Sequence, residues 1–127
     1  MPNLGDTFRF DLEGAHLWIV ITTPEGADGR FIMVNITTLR PNAPDTSCVL
    51  QVGDHPFIVR DSIAFYHDAR EWWTTGERGY DHLFAKGYLI PQAPMIPAVL
   101  RRIQDGAIAS HFFKRKYEPR VQACLVW

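Results

Sequence analysis

The sequence predicts a mainly β protein with a C-terminal helix, an α+β arrangement in which short strands form a small, partly open barrel. Short apolar segments separated by turn residues fill the N-terminal half, and one helical apolar pattern lies near the C-terminus. The 127 residues, 46% of them hydrophobic and 21% charged, have the composition of a folded protein. We expect a single domain over 1–127, with the barrel at about 5–70, an irregular insert at about 71–94, and the C-terminal helix and basic tail at about 95–127.

The first 38 residues predict three strands. Apolar and polar residues alternate over Thr7–Leu12, which indicates one buried face. The segment His16–Thr23 contains the continuous apolar run Leu17–Ile21, which is typical of a central strand covered on both faces. A turn-rich loop at 24–29 leads into Arg30–Thr38, and so short a loop containing glycine predicts an antiparallel hairpin.

Shorter strands are predicted in three places, each bounded by turn residues: Ser47–Val52, Phe57–Arg60 and Ser62–Tyr66. Residues 67–80 are polar and contain the adjacent pair Trp72 and Trp73, so we predict a loop or an irregular excursion there. The two tryptophans are suited either to stacking on nucleic-acid bases or to anchoring a loop or a subunit contact.

Two helices are predicted in the second half of the chain. The segment Tyr80–Ala85 is expected to form a short helix that stops at Gly87. A longer helix is expected over Ile96–Ile108, where apolar residues recur at steps of three or four. Pro97 suits the first turn of this helix, while Gly106 is expected to weaken or end it.

Several functional classes lack their sequence signatures. The phosphate-loop, dinucleotide-binding, HExxH and GxSxG motifs are absent, and Cys48 and Cys124 form no CxxC pair. We therefore expect no metal and no cofactor. No apolar run approaches the roughly 20 residues that cross a bilayer. The first six residues show no secretory pattern, so the expected location is the cytoplasm.

Basic residues concentrate at the C-terminal end. Residues 101–127 carry six basic and two acidic side chains, although the whole chain has a net charge of −1. The candidate RNA-binding residues are Arg101, Lys114, Arg115 and Lys116. The alternative is a solvated helix end, where basic side chains suit the negative pole of the helix dipole.

Polar residues near predicted strand ends form the candidate catalytic group: His16, Thr37, Thr38, His55, Ser62, Tyr66 and Arg70. Cutting RNA without a metal requires a base for the 2′-hydroxyl, a cation for the charged phosphorane and an acid for the 5′-oxygen. Histidine exchanges protons near neutral pH, and arginine binds phosphate oxygens through paired hydrogen bonds. Each residue also has a structural alternative: His55 can bond to its own turn, for example, and Tyr66 can pack its ring in the core.

Three stretches resemble the PemK/MazF-like toxin family: 14–22, 29–38 and 61–70. The second ends in Thr37 and Thr38, similar to that family's Thr/Ser pair. The resemblance extends loosely over residues 5–70 and implies an SH3-like barrel that cuts mRNA and is neutralised by an antitoxin protein. His16 stands where the family usually has the arginine of an Arg-Pro pair. The catalytic roles of His16, His55 and Arg70 therefore come from their chemistry and not from the resemblance.

Two functions follow as hypotheses. The first is a toxin-like, metal-independent endoribonuclease of a toxin–antitoxin system, acting on RNA without a cofactor. Its expected partners are an antitoxin protein and a second copy of the chain, with no membrane partner. The alternative is a small barrel that binds a nucleic acid or a protein partner and performs no chemistry.

Overall fold

Six antiparallel strands form one curled, half-barrel sheet in the computed structural model, which describes residues 1–127. The strands are β1 Thr7–Phe10, β2 Leu17–Val20, β3 Phe31–Thr38, β4 Val49–Leu50, β5 Ser62–Trp72 and β6 Leu89–Gln92. The helices are α1 Tyr80–Ala85, α2 Pro97–Ala109 and α3 Glu118–Ala123, with a 3₁₀ turn at Arg115–Tyr117. The strand order across the sheet is β4-β5-β3-β2-β1-β6, which confirms the mainly β, partly open architecture with C-terminal helices.

The central strand β2 is buried on both faces, as its continuous apolar run predicts. Leu17 and Ile19 point into a core of 20 buried residues that α2 and α3 cover. Trp18 and Val20 point the other way, into a smaller cluster of seven buried residues beside α1 and β6. The sheet therefore has two partly covered faces, which we call the main-core face and the second face.

Helix α2 packs on the main-core face, and its glycine is the point of closest approach. A Cβ added at Gly106 would lie 2.3 Å from the Tyr66 hydroxyl oxygen and 2.8 Å from Cys48 Cβ. Gly106 was predicted to weaken or end the helix. It does not end it, because the helix continues to Ala109. Glycine is needed here because no side chain fits between the helix and β5.

Two regions of the sheet differ from the sequence prediction. Strand β5 continues to Trp72, so the loop predicted from residue 67 was wrong over 67–72. The predicted strand Phe57–Arg60 is irregular, and the predicted insert at 71–94 contains α1 and the unpredicted strand β6. Helix α1 has the predicted bounds. The sheet ends on one side at the two-residue β4 and on the other at β6, which contains Pro91.

The C-terminal segment is attached to α2 through a buried glutamine. Gln104 is fully buried, and its Nε2 donates to the backbone oxygens of Ile21 and Cys124 at 3.1 and 2.8 Å. Its Oε1 accepts from the amide of Val126 at 3.0 Å. These bonds satisfy the buried amide and hold the last residues against the main core. None of the helices has the length and apolar composition needed to span a bilayer.

Asp45 joins the loop after β3 to the end of α2. Its carboxylate accepts hydrogen bonds from the hydroxyls of Ser110 and Ser47, each at 2.5 Å, and from the Ser47 amide at 3.0 Å. Burial alone would raise the pKa of Asp45, but these hydrogen bonds outweigh burial and lower it below the ordinary range. The folded state therefore favours the ionised carboxylate.

We expect Asp45 to contribute to acid sensitivity of the fold. A depressed carboxyl pKa gives stability that is present above the unfolded-state pKa and is lost as the pH falls through the folded-state pKa. Asp45→Asn should therefore lower the free energy of unfolding at pH 7 by about 1–3 kcal/mol, and the variant should lose less stability than the wild type below about pH 4. Urea unfolding across pH 2–7 measures both effects. Asp11→Asn, at an exposed turn, serves as the control. Parallel acid limbs in wild type and Asp45→Asn would contradict this assignment.

Candidate functional site

A cleft of about 400 Å³ opens on the second face, where β3 and β5 meet the loop that follows β3. Its lining is mostly polar and includes two of the predicted catalytic threonines and one predicted histidine. The residues that line it are His16, Asn35, Thr37, Thr38, Arg40, Asn42, Ala43, Pro44, Ile63, Phe65 and Asp68. The cleft therefore unites the ends of three strands that are separate in sequence.

Strand pairing explains why these side chains share one face. Asn35 lies opposite Trp18 on β2 and opposite Phe65 on β5, and Thr37 lies opposite Ile63. Because side chains alternate along a strand, Asn35 and Thr37 point to the same face. His16 immediately precedes β2 and is exposed at the mouth of the cleft.

A bulge in β5 brings Asp68 to the floor of the cleft. The register with β3 changes between Met33, which pairs with Arg70, and Asn35, which pairs with Phe65, so β5 has extra residues there. The Asp68 carboxylate consequently accepts from Asn35 Nδ2 and from an Arg70 guanidinium nitrogen, both at 3.2 Å. Asn35 Oδ1 is buried without a hydrogen-bond partner.

Arg70 borders the cleft without lining it. Its guanidinium lies 5.4 Å from the centre of the Trp18 ring and forms an ion pair with Asp68. The pair offsets the negative charge of Asp68 near the cleft. Arg40 then supplies a second cation at the lining, so the cleft suits an anionic ligand.

A smaller cavity of about 130 Å³ adjoins the cleft and shares three of its residues, His16, Thr37 and Thr38. Ser62 lines this second cavity, and its hydroxyl donates to the backbone oxygen of Arg60 at 2.8 Å. Ser62 therefore lies next to the candidate site, and its hydroxyl proton is already used in a hydrogen bond to the backbone.

His55 lies away from the cleft and is engaged in structure. The side chain is 3% exposed, and Nδ1 accepts from the Phe57 amide at 3.0 Å. Its Nε2 therefore carries the proton and donates to the backbone oxygen of Ala93 at 2.5 Å, an oxygen that also accepts from the Thr7 hydroxyl. The structural alternative for His55, bonding within its own turn, matches this arrangement.

Tyr66 lies on the main-core face, opposite the cleft. Its ring is 1% exposed, and its hydroxyl donates to the backbone oxygen of Ile103 at 2.6 Å. Burial, together with the neighbouring Cys48, raises the pKa of Tyr66 far above its ordinary value. The structure does not bring Tyr66 to the other candidate residues.

The predicted RNA-binding residues lie on the C-terminal segments. Arg101 is paired with Asp105 at 2.9 Å and donates to the backbone oxygen of Val126, so it serves the packing of the C-terminus. Arg115 is paired with Glu118 at 2.8 Å. The amines of Lys114 and Lys116 lie over the Tyr117 ring, at 5.7 and 5.5 Å from its centre, and both residues are exposed.

Aromatic contacts connect this basic segment to the cleft. The Phe112 ring lies 5.7 Å from His67, and His67 lies 5.9 Å from Phe65, which lines the cleft. The stacked pair Trp72 and Trp73 lies where β5 ends, and Trp72 donates to the backbone oxygen of Arg78. The tryptophan pair therefore anchors the loop before α1.

Sequence reasoning missed three residues of the candidate site: Asn35, Arg40 and Asp68. Asn35 lies within a mostly apolar strand and was not singled out. A carboxamide inside such a strand nevertheless indicates a specific hydrogen-bond partner. Arg40 lies in a loop whose path the sequence does not define. Asp68 falls in the segment predicted to be a loop, and only the bulge in β5 brings it to Asn35.

The described residues contain no group of three or more His, Cys, Asp or Glu side chains arranged to hold a metal ion. Comparisons of the chain with protein-family models, with curated proteins and with solved structures found no match. The side chains of the cleft and their geometry are therefore the basis for assigning its chemistry.

Proposed function

We propose that this protein is a metal-independent endoribonuclease of the toxin–antitoxin type. One observation carries the proposal: His16, Thr37, Thr38 and Arg40 line a single cleft large enough for part of a nucleotide. These side chains supply a proton-transfer group, two hydroxyl donors and a cation, the types that phosphodiester cleavage by the neighbouring 2′-hydroxyl requires.

The proposed reaction is an internal displacement at phosphorus. His16 accepts the proton of the ribose 2′-hydroxyl, and the 2′-oxygen attacks phosphorus. The bond from phosphorus to the 5′-oxygen breaks, and that oxygen takes a proton from His67 or from water. The products are a 2′,3′-cyclic phosphate and a 5′-hydroxyl, so atoms and charge balance without an external nucleophile. His67 is exposed and contacts Phe65 at the edge of the cleft.

The phosphorane carries more negative charge than the starting diester, and the cleft has groups to stabilise it. Arg40 can bind two phosphate oxygens through parallel N–H donors. Thr37 and Thr38 are half-buried residues at the end of β3, and backbone pairing in a strand holds donors in place at little entropic cost. The negative charge of Asp68 is offset by Arg70 at 3.2 Å.

An unrestrained ribonuclease in the cytoplasm would be toxic, so the proposal includes a neutralising partner protein. The PemK/MazF-like family, which residues 5–70 loosely resemble, provides the precedent for an antitoxin and for pairing of two copies. Blocking the cleft is the simplest way for such a partner to act, because the cleft is open to solvent and its lining is polar.

The experiment that tests the proposal is cleavage of a mixed-sequence RNA by the purified protein in the presence of EDTA. We expect cut RNA whose fragments end in a 2′,3′-cyclic phosphate and begin with a 5′-hydroxyl, identified by mass spectrometry. A DNA strand of the same sequence should remain intact because it lacks the 2′-hydroxyl. Cleavage of both strands, or of neither, by folded protein would overturn the proposal.

A non-enzymatic binding module is the second candidate, and one observation favours it. Lys114 and Lys116 are exposed, and neither is paired with a carboxylate, so both are available to phosphates. RNA that is retained but not cut, with an affinity that falls steeply as salt increases, would favour this second function.

A further inference from the structure

The side chain of Asn35 lies at the floor of the cleft with one polar atom unused. The residue is 4% exposed, and its Nδ2 donates to Asp68 at 3.2 Å, while Oδ1 has no partner. A buried acceptor without a donor destabilises a folded protein, and such groups are rare. A ligand that brings a donor to this oxygen would remove the deficit.

The orientation of the Asn35 amide follows from its neighbour. The Asp68 carboxylate also forms an ion pair with Arg70 and can only accept hydrogen bonds, so the asparagine must present its NH₂ group to it. Oδ1 is therefore the free atom. The Asp68 oxygens each retain a further lone pair beside it. Asn35 and Asp68 both line the cleft, and together they hold a buried, unpaired acceptor next to a carboxylate.

We propose that Asn35 and Asp68 recognise a guanine base of the substrate, an inference that rests on the proposed ribonuclease function. Guanine presents two adjacent donors, N1–H and the 2-amino group, on its Watson–Crick edge. Adenine, cytosine and uracil each present one donor group there beside at least one acceptor, which a carboxylate would repel. Two adjacent acceptors on the protein therefore favour guanine by complementarity and disfavour the other bases by repulsion.

The rest of the cleft fits a guanine nucleotide. The ring of Phe65 is half-buried in the lining and offers an apolar face for a flat base. Thr37 and Arg40 line the same cleft and suit the attached phosphate. The nucleotide would therefore contact aromatic, acceptor and phosphate-binding groups in one cavity of about 400 Å³.

The first test varies the ligand and leaves the protein unchanged. Calorimetric titration of the whole chain compares guanosine 3′-monophosphate with inosine 3′-monophosphate, which lacks only the 2-amino group, and with adenosine 3′-monophosphate. We expect inosine monophosphate to bind about tenfold more weakly than guanosine monophosphate, and adenosine monophosphate more weakly still. Equal affinities, or no binding of any of the three, would overturn the inference.

The second test uses two variants of the pair and a matched control. Asp68→Asn, at a half-buried position, should reduce the guanosine-over-inosine ratio towards one. Asn35→Leu should do the same while keeping or raising the thermal midpoint, because the unpaired acceptor is gone. Asp11→Asn, at an exposed turn, should leave the ratio unchanged. An unchanged ratio in Asp68→Asn would overturn the inference.

The outcomes separate this inference from the proposed function. RNA cleavage without any preference for guanine, in the mononucleotides or at the cut sites, would overturn the inference and leave the ribonuclease intact. A guanine preference in a protein that cuts no RNA would support the pocket and overturn the ribonuclease. If arginine amide binds as tightly as guanosine monophosphate, the two acceptors recognise a guanidinium group. That result would overturn the proposal that they recognise guanine.

Discussion

Replacing His16 with alanine is expected to slow RNA cleavage by about 100-fold to 10,000-fold, the usual contribution of a positioned general base or acid. His16 is exposed at the mouth of the cleft, so the substitution removes the proton acceptor without opening the core. The measurement is the initial rate of cleavage of a fluorescent RNA under single-turnover conditions, with thermal unfolding of the same sample as a check on folding.

The matched control for His16 is His82→Ala. His82 is an exposed histidine on α1 and lines neither of the cavities that contain His16. We expect its rate to stay within about twofold of the wild type, since surface substitutions change little. If His16→Ala cuts RNA at the wild-type rate, His16 is not the proton-transfer group, and the mechanism fails even if RNA is cleaved.

The substitution Gly106→Ala is expected to cost about 2–4 kcal/mol of unfolding free energy, although alanine is the better helix former. The new methyl group would lie 2.3 Å from the hydroxyl oxygen of Tyr66, which is buried. Either α2 moves away from the sheet, or the hydroxyl loses its bond to Ile103 and becomes an unsatisfied buried group. Urea unfolding followed by tryptophan fluorescence measures the loss.

A double variant isolates the contact. Tyr66→Phe removes the hydroxyl and leaves the nearest ring carbon 3.1 Å from the new methyl group, so Gly106→Ala should be less harmful in that background. The double-mutant cycle should give a coupling of at least about 1 kcal/mol, because the two residues touch. Additive effects would show that the clash with Tyr66 is not the cause. A Gly106→Ala protein as stable as the wild type would contradict the packing argument altogether.

Much of the fold could be predicted because apolar periodicity reports burial directly. The run Leu17–Ile21 indicated a strand covered on both faces, and Leu17–Val20 is such a strand. Helix α2 starts within one residue of its predicted position because its apolar spacing and Pro97 agree. Where the apolar pattern and the turn residues indicate the same element, the local sequence was sufficient to predict that element.

The remaining elements depend on contacts that local sequence does not specify. Strand β5 continues through a polar segment because its bulge lets Asp68 and Arg70 pair while the backbone stays bonded to β3. Strand β6 forms despite Pro91 because it lies at an edge, where a proline removes no bond that a further strand would need. In Phe57–Arg60, by contrast, only Ile58 is buried, and no strand pairs with the segment.

The candidate site likewise has a part that local sequence predicts and a part that depends on tertiary contacts. The proximity of His16 to Thr37 and Thr38 could be predicted, because the start of the first strand and the end of the second strand of a hairpin lie side by side, opposite the connecting loop. Tyr66 and His55 could not be excluded from sequence, since burial of a tyrosine or histidine depends on distant partners such as Ile103 and Ala93. The pairing of Asn35 with Asp68 spans 33 positions and follows from tertiary structure alone.

The two ends of the sheet limit how this protein can associate with itself. A half-barrel leaves two open edges, and an open edge invites a strand from another molecule, which is a common route to aggregation and fibre growth. Here β4 offers only two residues, and β6 places Pro91 in the middle of its four. Neither of these two terminal strands can template an added strand of useful length. An added strand would find a longer template on β5, whose residues after Ala64 pair with β3 on one side and with no strand on the other.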